Sequence, residues 1–165
     1  MARIIDYERV VRTLTRQGLT QAYPNGGAYQ LPDATVTGYV TAPDPSIRPG
    51  FDVRTVDDLP AILSKLWDDI GGPLWLTPAH HWAHELDHGG NGQAVLDAAG
   101  VTLDRPANLA HALELSDTDD VSAVLAVLFR HSDWFASFPK HDRPVVAMLH
   151  HHGQLWVSGQ ASVMP

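Results

Sequence analysis

Residues 77–90 read Thr-Pro-Ala-His-His-Trp-Ala-His-Glu-Leu-Asp-His-Gly-Gly, and inside them His84-Glu85-Leu86-Asp87-His88 forms a complete H-E-x-x-H. On a helix, side chains four residues apart stand one above the other on one face, so His84 and His88 can clamp a single metal ion. Glu85 projects beside them, where a carboxylate can act as general base towards a metal-polarised water. With His84 at zero, 3.6 residues per turn puts His80, His88, His81 and Glu85 at about −40°, +40°, +60° and +100°. Trp82, Leu86, Ala79 and Ala83 fall between about 160° and 260°. One face carries donors and the other is apolar.

This segment resembles the active-site helix of the zincin metallopeptidases, in which His-Glu-Leu-x-His is a common form and an apolar back turns to the core. The resemblance covers about twelve residues. It implies Zn2+ as cofactor, His84 and His88 as ligands, and Glu85 as general base and later proton donor, with a peptide or protein as substrate. The longer pattern H-E-x-x-H-x-x-G-x-x-H is not met, because Asn91 and Ala94 stand where its Gly and third His belong. The glutamate-ligand class of the same family takes its third ligand from a later helix. Glu114 is the only glutamate after Glu85, and the resemblance makes it the third ligand. His111, one turn earlier on the same predicted face, is its rival. Asp117 follows Glu114 by three residues, where that class often has an Asp four residues on.

Other chemistry-bearing residues have plainer uses. Asp119-Asp120 suits the dipole at a helix start. His131, Asp133 and His141 flank Trp134, Phe135 and Phe138 and read as loop packing. His150-His151-His152 reads as the decorated turn of a hairpin. No P-loop, Gly-rich strand-to-helix fingerprint or Gly-x-Ser-x-Gly elbow occurs, and Gly26-Gly27 reads as a turn.

The elements that must position these groups follow from periodicity. Asp6 precedes a helix whose Tyr7, Val10, Val11 and Leu14 share a face, and Gly18 ends it. Strands are predicted over 28–31 and 35–41, with Pro32-Asp33 between them. Thr55 or Asp57 opens a second helix carrying Leu59, Ile62, Leu63, Leu66, Trp67 and Ile70, closed by Gly71-Gly72. Leu74–Leu76 reads as a short strand. Thr77-Pro78, an N-cap followed by proline at the first helical position, opens the H-E-x-x-H helix, which runs to about His88. Residues 94–99 and 107–115 read as short helices. Ser116 or Asp117 caps a helix bearing Val121, Val124, Leu125, Leu128 and Phe129. Residues 145–149 and 155–158 read as an antiparallel hairpin. The expected fold is α+β: one domain over 1–165, with five or six helices and a small antiparallel sheet.

Composition narrows the function. The chain has 165 residues, ordinary globular hydrophobicity at 44%, and no cysteine, so disulfides, thiolate zinc fingers, iron–sulfur clusters and cysteine nucleophiles are excluded. Its formal charge is −8, with only two lysines and no basic run, which argues against nucleic acid and anionic membrane as partners. Residues 1–82 sum to −2 and residues 83–165 to −6. No apolar run approaches the roughly 20 residues that span a bilayer, and charges interrupt the first residues, so a cytoplasmic setting is expected. Three functions compete: a zincin-like metal-dependent hydrolase, a non-catalytic metal-binding protein, and an acidic interaction module whose ten histidines are incidental.

Overall fold

A computed structural model describes residues 1–30, 51–55, 59–128, 133–141, 145–150 and 154–158. Its described elements, in chain order, are β1 (Arg3–Ile5), α1 (Tyr7–Arg16), β2 (Thr20–Gln21), β3 (Tyr29–Gln30), β4 (Phe51–Thr55), α2 (Leu59–Ile70), β5 (Leu74–Pro78), α3 (Trp82–Asp87), α4 (Gly92–Ala99), β6 (Ala112–Leu115), α5 (Thr118–Leu125), β7 (Trp134–Ser137), β8 (Val146–His150) and β9 (Gln154–Ser158). The fold is α+β, as expected. Seven strands form one antiparallel sheet in the order β1-β6-β5-β7-β8-β9-β4, and β2 pairs with β3 separately.

Strand alternation divides the sheet into two buried faces. Leu74, Leu76, Leu113, Leu115, Trp134, Ala136, Ala147 and Leu149 point one way, into a cluster completed by Val95, Leu96 and Ala99 of α4 and Val121, Val124 and Leu125 of α5. Trp82 belongs to this cluster, and Leu86 packs against it. Trp75, Ala112, Phe135, Val146 and Met148 point the other way and meet Val10 and Leu14 of α1, with Leu19, Ala28 and Tyr29. Helical and strand periods therefore agree at each layer, which is what fixes register in a sheet buried on both sides.

Three predicted elements are corrected. Residues 107–115 are not a helix: β6 covers 112–115 and lies between β1 and β5. Ala, Leu and Glu favour helix locally, but pairing on both edges and alternate burial of Leu113 and Leu115 against Ala112 and Glu114 override that preference. Thr77 and Pro78 do not open a helix; they end β5, opposite Phe135 and Trp134. Helix α5 stops at Leu125, short of Leu128; Phe129 lies outside the described residues. The predicted strand over 35–41 lies outside the described residues. The sheet is larger than anticipated because β1, β4, β6 and β7 join it.

Candidate functional site

Helix α3 is only six residues long and is capped by His81, which sits extended at φ −161°, ψ 166° and accepts the His84 N–H on its side chain. That Nδ1 contact is 3.1 Å. Histidine thus replaces the predicted Thr77 as N-cap, serving one of the amides that a helix start leaves unpaired. Trp82 anchors the helix: it is fully buried, its Nε1–H donates to the His111 carbonyl at 2.8 Å, and its ring meets Trp134 edge-on at 5.4 Å. Trp134 Nε1–H in turn donates to Asn91 Oδ1 at 2.9 Å. His88 is the C-cap, with its N–H bonded to the His84 carbonyl, and Gly89 then reverses the chain at φ +77°, a conformation glycine adopts without steric cost.

This anchoring turns the imidazoles into a row. Ring centroids are 5.0 Å apart for His80 and His84 and 5.1 Å apart for His84 and His88, the latter pair nearly parallel at 16°. Tyr23 extends the row by stacking on His80 at 5.4 Å. It gets there because Gly27 N–H and Ala28 N–H both reach the Ala79 carbonyl, at 2.9 and 3.1 Å, bringing the 23–28 segment against the 77–80 segment. His84 and His88 are exposed; His80 and His81 are half-buried. Burial first, and then the positive charge His80, His88 and His81 would carry, hold the His84 imidazole below the ordinary histidine value, with Asp133 opposing. A positive charge on a neighbouring imidazole disfavours protonation of His84 because like charges repel.

Glu85 is placed differently from its neighbours. It is 3% exposed and packs beneath the 90–92 turn; a Cβ on Gly92 would come within 2.9 Å of the Glu85 Cβ. The helix therefore sets His84 and His88 on its solvent side and Glu85 in its shielded flank.

Glu114, expected as the third ligand, is engaged by other partners. It is 4% exposed on β6, where Oε1 accepts from Arg3 Nε at 2.6 Å and Oε2 accepts from Trp75 Nε1 at 2.8 Å. Trp75 belongs to the α1-side cluster, whereas Trp82 and Leu86 of α3 pack in the other, so Glu114 and the helix that carries His84 lean on different clusters. Its rival His111 is also engaged elsewhere: it is buried and its Nδ1 accepts the Tyr7 N–H at 3.1 Å. Among the described residues, no three His, Asp or Glu side chains gather as a metal-holding group. His131, His151, His152 and the His150 side chain lie outside what is described.

Tyr23 and Asp133 are the site residues the sequence did not single out for this role. Their signal is non-local: Tyr23 arrives through the Gly26-Gly27 approach, and Asp133 through its carbonyl, which accepts the Ala79 N–H at 2.8 Å. Compared with known protein families, curated proteins and solved structures, the chain matches none.

Proposed function

We propose that this protein is a non-catalytic binder of a divalent transition-metal ion, with His84 and His88 as the chelating pair. The observation that supports it most is the parallel pairing of these two exposed imidazoles at 5.1 Å, one turn apart on a helix whose start is fixed by His81. An all-imidazole donor set suits zinc, copper or nickel and not magnesium or calcium, which take oxygen ligands. The zincin-like hydrolase keeps the same two ligands and needs more: a third protein ligand and a carboxylate facing the ion. Glu114 supplies neither, and Glu85 is shielded. We extend the proposal to a single domain working in a cytoplasmic setting; no described helix is long and apolar enough to cross a membrane.

The test uses the full, untagged chain with zinc and a chelator. Zinc should raise the melting temperature and the chelator should reverse the rise, because an ion that binds only the folded state stabilises it. His84→Ala should abolish the rise, and Glu85→Gln should leave it intact. Cleavage of a peptide mixture by the zinc-loaded parent, lost in Glu85→Gln, would instead establish the hydrolase.

A further inference from the structure

Two of the chain's three asparagines precede glycine, as Asn25-Gly26 and Asn91-Gly92. In such a pair the glycine backbone nitrogen can attack the asparagine Cγ, because no side chain crowds that nitrogen. The Cγ–Nδ2 bond breaks and ammonia leaves with the glycine N–H proton, giving a five-membered succinimide. Water then opens either carbonyl of the ring. One opening yields aspartate. The other yields isoaspartate, whose main chain runs through the former side-chain methylene. Water is the only co-reactant, so the fold decides which pair can close.

Asn91 is held. It is 7% exposed, its Oδ1 accepts the Trp134 Nε1–H at 2.9 Å, and its Nδ2 donates to the Val127 carbonyl at 3.0 Å. Its amide cannot turn onto the Gly92 nitrogen without stranding a buried indole N–H, which is costly. Asn25 stands in the opposite situation, because it is exposed. Tyr23-Pro24-Asn25-Gly26 form a β-turn closed by the Gly26 N–H on the Tyr23 carbonyl at 3.2 Å. Proline in its second place and a φ of +59° in its third are those of a type II turn. Among the described residues Asn25 is the one non-glycine with positive φ, a conformation asparagine tolerates better than most side chains. Closure requires Asn25 to rotate, breaking the turn bond and the bond from the Ala110 N–H to the Asn25 carbonyl. The Asn25 amide itself leaves no buried partner behind. Exposed turns open locally at far less cost than the whole fold.

We propose that Asn25 is a site of spontaneous covalent modification, closing on the Gly26 nitrogen and opening to aspartate and isoaspartate, and that the isoaspartate form releases Tyr23 from the imidazole row. The added main-chain methylene displaces the two carbonyls that anchor the turn. That of Asn25 accepts from Ala110 N–H at 3.0 Å and that of Gly26 from Gln21 Nε2 at 2.6 Å. Gly26 has no room to give way, since even a Cβ there would stand 2.9 Å from the Ala79 carbonyl oxygen. The displacement therefore passes to the Tyr23 side of the turn, where Tyr23 stacks on His80.

The experiment incubates the full chain, folded and in urea, in warm, mildly alkaline buffer. Peptide mapping by mass spectrometry follows both sites, and enzymatic methylation of isoaspartate carboxyls identifies that product. In the folded chain Asn25 should convert at least about tenfold faster than Asn91, whereas in urea the two should convert at similar rates. Asn25→Gly, which suits the positive φ, should lose the product at this site and keep the parent's melting temperature. In the converted chain the Tyr23 and His80 resonances should move and those of α5 should stay; the same incubation of Asn25→Gly should move neither. Equal rates at Asn25 and Asn91 in the folded chain overturn the proposal, as does a folded Asn25 amide still intact once the unfolded chain has converted. Tyr23 resonances unmoved in the converted chain, or shifts that reach α5 equally, overturn the release of Tyr23.

Discussion

His111 holds the first turn of α1 through its Nδ1, which accepts the Tyr7 N–H at 3.1 Å, while Asp6 makes no side-chain cap and pairs with Arg105. Only the neutral ring can accept at Nδ1, so protonation removes this contact. Burial chiefly holds the His111 imidazole below the ordinary histidine value; the Arg105 guanidinium adds to this, and the carbonyls of Ile5 and Pro106 oppose it. The unfolded chain therefore takes up this proton at a higher pH than the folded chain. Stability contributed by neutral His111 is complete above the unfolded value of about 6.5 and is lost as pH falls from there through the lower folded-state value. His111→Asn keeps a side-chain acceptor and removes the titration. Urea denaturation of both proteins should show the parent losing stability faster than the variant between about pH 7 and pH 5. A constant difference across that range would mean that His111 does not change protonation differently in the two states.

The amphipathic stripe that predicted α1 is the one observed, because Val10 and Leu14 are fully buried on one side of it; α2 likewise covers Leu59–Ile70 as read from its period. The 145–149 and 155–158 runs pair as β8 and β9 through Ala147 with Val157 and Leu149 with Leu155. Of the central strands, β5 was read over Leu74–Leu76, but β6 and β7 were not. β7 is buried along its whole length, so Trp-Phe-Ala-Ser carries no alternation between apolar and polar residues. β6 hides for a second reason: its Glu114 is a charged residue in the interior, stabilised by Arg3 and Trp75 from two other strands, a contact no local pattern encodes. The motif itself was legible, and so was its solvent-facing histidine pair; the shielding of Glu85 was not, because it depends on the turn at Gly90 and Gly92 packing over it. Close approach of elements also makes a prediction. A Cβ on Gly27 would meet the Pro78 carbonyl and stand 2.6 Å from the Thr77 Cβ, in the contact that brings Tyr23 to His80. Gly27→Ala should destabilise the fold by about 1–3 kcal/mol, as overpacking does. It should also perturb the Tyr23 and His80 resonances before those of α5. Unchanged denaturation and unchanged spectra would show that the two segments do not touch as described.

At the scale of the whole molecule, two polar regions differ in character. Buried Glu114 lies against the α1-side cluster, while α3 presents imidazoles over a core that contains Trp82 and Trp134. The chain's net charge of −8 favours cations in general, so a metal-binding claim has to separate a defined site from diffuse attraction. Calorimetric titration of the full, untagged chain with zinc chloride near neutral pH and at moderate ionic strength, in parent and in His84→Ala/His88→Ala, makes that separation. The account predicts one zinc per chain for the parent and an affinity reduced at least about tenfold in the double variant, since only that pair is lost while the overall charge is kept. One zinc per chain bound equally well by the double variant would place the ion elsewhere and contradict the assignment of this helix as the metal site.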